Sequence, residues 1–163
     1  MKLFEALSLK KALQSQLTQL ISLRNSTFEY PEDEKPEFNF EELTKRIKEK
    51  VNEITALKLA IAKANFDTKL PTGLTLSESI IELANTRAAL DQLQDLIQTG
   101  RRGLFLSEKR RSTTEIRMVK QAKPESILEM IETYDRKRRE MDAVIQEANH
   151  TVEIRWPPTT PST

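Results

Sequence analysis

The chain has one histidine, His150, and it follows Glu147 by three residues. On a helix, Glu-x-x-His sets a carboxylate and an imidazole on adjacent turns, the ligand pair that carboxylate-bridged di-metal bundles use twice. A second copy of that pair needs a second histidine, which this sequence lacks. His150 also falls at the end of a predicted helix, where its ring can meet the last free carbonyls. It is therefore assigned to a helix terminus, and no metal site is expected. The lone histidine also leaves no second candidate base for a Ser-His-Asp arrangement. With no cysteine in the chain, thiolate nucleophiles, thiolate metal sites and disulfides are excluded. Gly100-Arg101-Arg102-Gly103 lacks the following lysine and hydroxyl residue that complete a phosphate-cradling loop. Carboxylates abound, but they stand among Lys and Arg at helical spacing, the pattern of ion pairs on a solvated face. No catalytic residue and no cofactor are expected, and the chain reads as a non-enzyme.

Charge is the stronger signal. The 26 basic and 25 acidic side chains nearly cancel, so net charge selects no partner, but their placement is uneven. Arg101, Arg102, Lys109, Arg110, Arg111 and Arg117 form a candidate anion or partner surface, with Lys120 beyond them and only Glu108 and Glu115 opposing. Asp135-Arg136-Lys137-Arg138-Arg139 adds a second basic cluster. Nucleic acid or an anionic membrane would suit such a surface. Against this, Phe105 is the lone aromatic residue near the segment, where base stacking would call for several. Glu29, Glu32, Asp33, Glu34, Glu37, Glu41 and Glu42 stand against only Lys35. The favoured expectation is that the acidic and basic regions face each other, within or between subunits.

Four amphipathic segments must position these charges. Between Phe40 and Ala64, the residues Leu43, Ile47, Ile54, Leu57, Ile61 and Ala64 recur in steps of about four and three, which draws one apolar seam along a helix. Lys50 interrupts that seam. Asn39 is a good N-cap with Glu42 three residues on, and Phe38 and Leu43 occupy the positions of a hydrophobic staple. An earlier helix is predicted over about 2–24 on the stripe Ala6, Leu9, Leu13, Leu17 and Leu20. A third spans about 76–99, opened by Thr75-Leu76-Ser77-Glu78 and ended by Gly100 and Gly103, with the stripe Leu76, Ile80, Leu83, Arg87, Leu90, Gln94 and Ile97. Pro124 suits the first turn of a fourth, over about 124–148, on Ile127, Ile131, Tyr134, Arg138, Met141, Ile145 and Ala148. Pro31 and Pro36 mark an exposed loop after the first helix, and Asp67, Pro71 and Gly73 mark a turn before the third. Polar residues at seam positions, such as Arg87, Arg138, Lys50 and Gln94, either fix register or snorkel at the stripe edge.

Two stretches change period. Residues 114–119 and 151–156 alternate, which predicts short strands. A helix of 25 residues is ~37 Å long, and each flanking strand covers only ~20 Å. The two strands leave opposite ends of the fourth helix and barely overlap within one chain. Pairing across a subunit boundary, with Ile116 and Met118 against Val152, Ile154 and Trp156, would satisfy both edges. Local pairing with a loop, or no strand at all, is the plainer alternative.

The expected fold is mainly α: a single domain over 1–156, an antiparallel bundle or coiled coil of four long helices, with one or two short strands near the C-terminal third and a loose Pro/Thr-rich tail at 157–163. The opening Met1-Lys2-Leu3-Phe4-Glu5 sets an acid where a signal peptide has its apolar core, and no apolar run approaches a membrane span of ~20 residues, so a soluble cytoplasmic protein is expected.

Four stretches carry a family resemblance. They are Met1-Lys2-Leu3 with Glu5-Ala6-Leu7; Ala64-Asn65 through Thr68-Lys69-Leu70-Pro71 to Gly73 and Leu74-Thr75-Leu76-Ser77-Glu78; Arg111 through Arg117; and Glu140-Met141-Asp142 through Ile145-Gln146, Ala148-Asn149 and Thr151. In these the chain resembles the septicolysin-like family of uncharacterised bacterial proteins. It departs from that family in carrying His150 where members have Trp, and in its Pro-rich extension. The resemblance implies long antiparallel helices and no demonstrated activity, although the family name suggests a haemolysin. The functional expectation is an oligomeric, non-enzymatic helical protein acting through self-association and protein partners. A membrane-active protein is the alternative, and anion or nucleic-acid binding through residues 101–120 the second.

Overall fold

The computed structural model describes residues 1–32, 37–109 and 121–157, with residues 100–109 as backbone only. Four helices follow in order: α1 (Leu3–Ser26), α2 (Phe40–Asp67), α3 (Leu76–Lys109) and α4 (Pro124–Thr151). Among the described residues there is no sheet; extended pairing is confined to two isolated antiparallel bridges. The chain divides into two compact units, one formed by Met1–Ser77 with the chain end from Glu147, the other by Glu78–Gln146.

In the first unit, α1 and α2 pack along each other, and the end of α1 meets the start of α2, with the Arg24 guanidinium 5.7 Å from the centre of the Phe40 ring. The seam read from the sequence is the buried face: Leu43, Ile54, Leu57 and Ile61 on α2, and Leu3, Ala6 and Leu13 on α1. Asn39 caps α2 as its type dictates. Its side-chain oxygen accepts from the Glu41 and Glu42 N–H groups at 2.8 and 3.1 Å, which satisfies two donors that the first turn leaves free. Lys50, the break in the seam, holds Glu53 at 2.7 Å.

The turn before α3 is tight and specified residue by residue. Gly73 N–H donates to the Leu70 carbonyl at 2.9 Å, and Leu70 N–H to the Leu74 carbonyl at 2.8 Å. This is a three-residue hairpin loop: Pro71 presets the first turn torsion, and Gly73 takes a φ of 85, which residues with a Cβ rarely adopt. Leu76 N–H then closes on the Thr68 carbonyl at 2.8 Å, with Leu70 and Leu76 both buried.

The expected strand at 151–156 is corrected. Helix α4 runs on to Thr151, and beyond it a single bridge joins Glu153 to Lys2. Among the described residues its partner is the short piece ahead of α1. Leu3 N–H donates to the Val152 carbonyl at 2.9 Å, and Ile154 N–H to the Met1 carbonyl at 2.8 Å. Because α1 begins at Leu3, the ladder with the chain start cannot extend further. The other expected strand, 114–119, lies outside the described residues, as do Ile116 and Met118.

In the second unit, two readings change. Helix α3 does not stop at Gly100 but continues through Gly100 and Gly103 to Lys109. A glycine inside a helix costs about 1 kcal/mol relative to Ala; it does not end the helix, and good helix formers such as Arg101, Arg102, Leu104 and Leu106 surround these two. The buried stripe of α3 is also rotated from expectation. Leu83 and Leu90 are buried with Ser79 and Thr86, whereas Ile80, Arg87 and Gln94 are exposed. Thr86 can be buried because its hydroxyl donates to the Glu82 carbonyl at 2.8 Å, within its own helix. On α4, all seven stripe residues from Ile127 to Ala148 are buried or half-buried, as the spacing predicts.

Candidate functional site

Three arrangements of side chains stand out, and each begins from a local rule. The first is the clasp that joins the two ends of the chain in the first unit. The Met1 amine donates to the Ile154 carbonyl at 3.0 Å. Lys2 Nζ lies 2.9 Å from Glu153 Oε1 and donates to the Thr151 carbonyl at 3.3 Å, where it meets the free end of α4. The hydrogen bond from Lys2, with its charge, holds the Glu153 carboxyl below the usual range. Phe4 stacks on His150 with ring centres 4.7 Å apart and tilted by 40°. His150 thus packs its ring against Phe4 at the end of α4. Glu147 and His150 are both exposed, and no group of three or more His, Cys, Asp or Glu among the described residues could hold a metal ion.

The second is an ion lattice on α3 and α4. Arg87 reaches Asp142 at 2.7 Å, and Lys137 reaches Glu82 at 2.5 Å. Arg138 binds Asp135 through Nε at 3.0 Å and through a terminal guanidinium nitrogen at 2.7 Å, and its other terminal nitrogen lies 3.6 Å from Asp142. Arg139 adds a contact to Asp135 at 3.3 Å. The Arg138 hydrogen bond, helped by the charges of Arg138 and Arg139, pulls the Asp135 carboxyl below its usual range against the opposing effect of desolvation. Arg87 and Arg138, the two arginines set in apolar stripes, therefore share Asp142. The 135–139 cluster, read from sequence as a basic patch, spends part of its charge on this lattice.

The third is the outward face of α2. At ~100° per residue, Val51, Leu59 and Phe66 fall on one side of the helix together with Lys45, Lys48, Lys58 and Lys63, within an arc of roughly 140°. All seven are exposed, Leu59 at 67% and Phe66 at 73%. The acids of this stretch, Glu49 and Glu53, fall outside the arc. Sequence reasoning missed this face because it followed the buried seam; the same wheel, read on its other side, displays it. A shallow cleft also lies at the meeting of α1 and α2, lined by Arg24, Asn25, Phe28 and Phe40, with the two phenylalanine rings 5.9 Å apart.

The candidate residues of the basic segment are not brought into a described site. Arg101, Arg102 and Lys109 lie on the last part of α3, with side chains outside the described residues, and Arg110, Arg111 and Arg117 lie outside them altogether. Of the candidate inter-subunit strand, Val152 and Ile154 take part in the clasp, Ile154 is buried, and Trp156 is half-buried.

Four long helices with no sheet among the described residues define a mainly α protein, and none of those helices is long and apolar enough to cross a membrane. The chain belongs to the family of unknown function DUF6847, which matches residues 10–154. It is similar to the crystal structure of a functionally unknown conserved protein from Corynebacterium diphtheriae, with 23% sequence identity and a TM-score of 0.77 over 95% of this chain and 99% of that one. At that identity the likeness is one of fold. No curated protein matches the sequence.

Proposed function

We propose that this chain is a non-enzymatic helical protein that acts by contact with proteins, further copies of itself among them. One observation carries the reading: large apolar side chains stand outward on long helices, Leu59 and Phe66 on α2 at 67% and 73% exposure, Ile81 and Leu96 on α3 at 60% and 55%. Scattered exposed apolar residues are ordinary, but residues aligned on one helix face give a partner helix a ridge to pack against. The charged groups with defined geometry hold one another rather than a reacting centre, as Arg87 and Arg138 do around Asp142. Helix faces suit self-association better than strand pairing, because the Val152 carbonyl and both backbone groups of Ile154 are already bonded to Met1 and Leu3. The resemblance to septicolysin-like proteins adds no activity to this reading. Sedimentation velocity across micromolar concentrations tests it: species heavier than the 18.8 kDa chain are expected, and a monomer at every concentration would remove self-association from the proposal.

A further inference from the structure

The outward face of α2 has a counterpart in the same sequence. Its second half sets Lys58 and Lys63 around Leu59 and Phe66, over ~12 Å of helix at 1.5 Å per residue. The opening turns of α4 set Glu125, Glu129 and Glu132 around Leu128, over ~11 Å. On the wheel these four fall within roughly 100° of one another. All are exposed, Leu128 at 55%. None of these lysines and glutamates is in an ion pair among the described residues. Glu125 in the first turn suits the helix dipole on its own account, but Glu129 and Glu132 lie beyond the turn where that effect acts.

The geometry points to a second copy of this chain as the occupant of the α2 face, seated through the opening turns of its α4. The two patches match in length, each has an apolar centre, and their charges are opposite. An anionic lipid surface would suit the lysines, but it would leave the acidic ridge without a partner. Pairing one patch with the other uses both. In a two-fold dimer the contact is made twice, once in each direction, so each copy gives and receives an α4 end.

This inference rests on the self-association proposed above, and the experiment separates the two. Sedimentation velocity is run on the full-length chain, on Lys58→Glu with Lys63→Glu, on Glu129→Lys with Glu132→Lys, and on the chain carrying all four substitutions. Helical content by circular dichroism accompanies each, and all four positions are exposed. Each pair of reversals is expected to weaken self-association by about tenfold or more, and the fourfold variant to recover to within about threefold of the parent. Added salt should weaken the parent chain's association. Self-association that ignores both pairs of reversals, or that fails to recover in the fourfold variant, overturns the α2–α4 contact while leaving self-association standing. A parent chain that stays monomeric overturns both, and co-sedimentation of that monomer with phosphatidylserine vesicles would assign the lysine face to lipid instead.

Discussion

The two units of the chain share one helical period but hold themselves together differently. In the first unit the seam is apolar but for Lys50, and among the described residues the four largest fully buried side chains, Leu3, Leu43, Leu57 and Leu76, all belong to that unit. In the second unit the buried side chains among the described residues are Leu83, Leu90 and Ile145 with Ser79 and Thr86, and ion pairs of partly exposed residues run along its edge. Burial of a leucine is worth roughly 1.5–3 kcal/mol, while a solvent-exposed ion pair is worth about 0–1 kcal/mol. The lesson is that a regular stripe does not by itself measure stability. The stripe on α4 is unbroken in spacing, yet five of its seven residues are only half-buried. The first unit should therefore be the more protected one, and native-state hydrogen exchange should find slower amides in the middle of α1 and α2 than in α3 and α4.

The sharpest way to break this contrast is a pair of core truncations. Leu57 is fully buried and Leu83 nearly so, at 0% and 6% exposure. Leu57→Ala is expected to cost about 3–5 kcal/mol, and Leu83→Ala to fall nearer the lower end of the ~2–5 kcal/mol range for such changes, since the thinner seam around it can relax more readily. Equal losses in urea unfolding, or a larger one at Leu83, would remove the distinction. The next effect is at the turn that closes the first unit. At Gly73 a Cβ meets nothing within 4 Å, so space is not the constraint and the φ of 85 is. Gly73→Ala is expected to lower stability by about 1–2 kcal/mol, measured by the same unfolding curves, although it removes no contact. Asn39→Ala should cost about 1 kcal/mol, because the Glu41 and Glu42 N–H groups lose their shared acceptor; Asn39→Asp should retain most of it.

Most of the helical scaffold was legible in residue types. Asn39, Pro124 and the Pro71–Gly73 pair acted as their chemistry requires, and the apolar spacing picked the buried face of α2. What was not legible depended on competition between neighbours. Gly100 and Gly103 weaken a helix without forbidding it, so the end of α3 could not be read from them. Thr86 took the stripe position assigned to Arg87, since its hydroxyl bonds within its own helix and a guanidinium needs a carboxylate or water; Ser79 took that of Ile80 although its buried hydroxyl meets no partner among the described residues. The alternation at 151–156 was real, but strand formation needs a partner of matching length, and Met1–Leu3 is too short. The outward face of α2 is legible on the same helical wheel, but apolar spacing alone does not say that Val51, Leu59 and Phe66 face away from the core.

The smallest effects concern the two carboxyls held below their usual range, one in each unit. Asp135 is held there chiefly by the hydrogen bond from Arg138, and Glu153 by that from Lys2. In each case the folded chain binds the proton less tightly than the unfolded chain does. The contribution to stability is therefore complete above the ordinary values of 3.8 and 4.5, and it is lost as pH falls through the lower folded values. Both groups are exposed enough for solvent and salt to weaken their pairs. Asp135→Asn and Glu153→Gln should each lower the melting temperature slightly at neutral pH, and the difference from the parent should shrink as acid protonates the parent's own carboxyl. The clasp adds a distinction between the units. Glu153 sits on a segment also held by three backbone hydrogen bonds, whereas Asp135 works with side chains alone. Added salt should therefore erase the Asp135→Asn difference and leave the joined termini in place, with slow exchange persisting at the Leu3 and Ile154 amides. Loss of that protection in salt would mean that the Lys2–Glu153 pair, and not the backbone, holds the ends of the chain together.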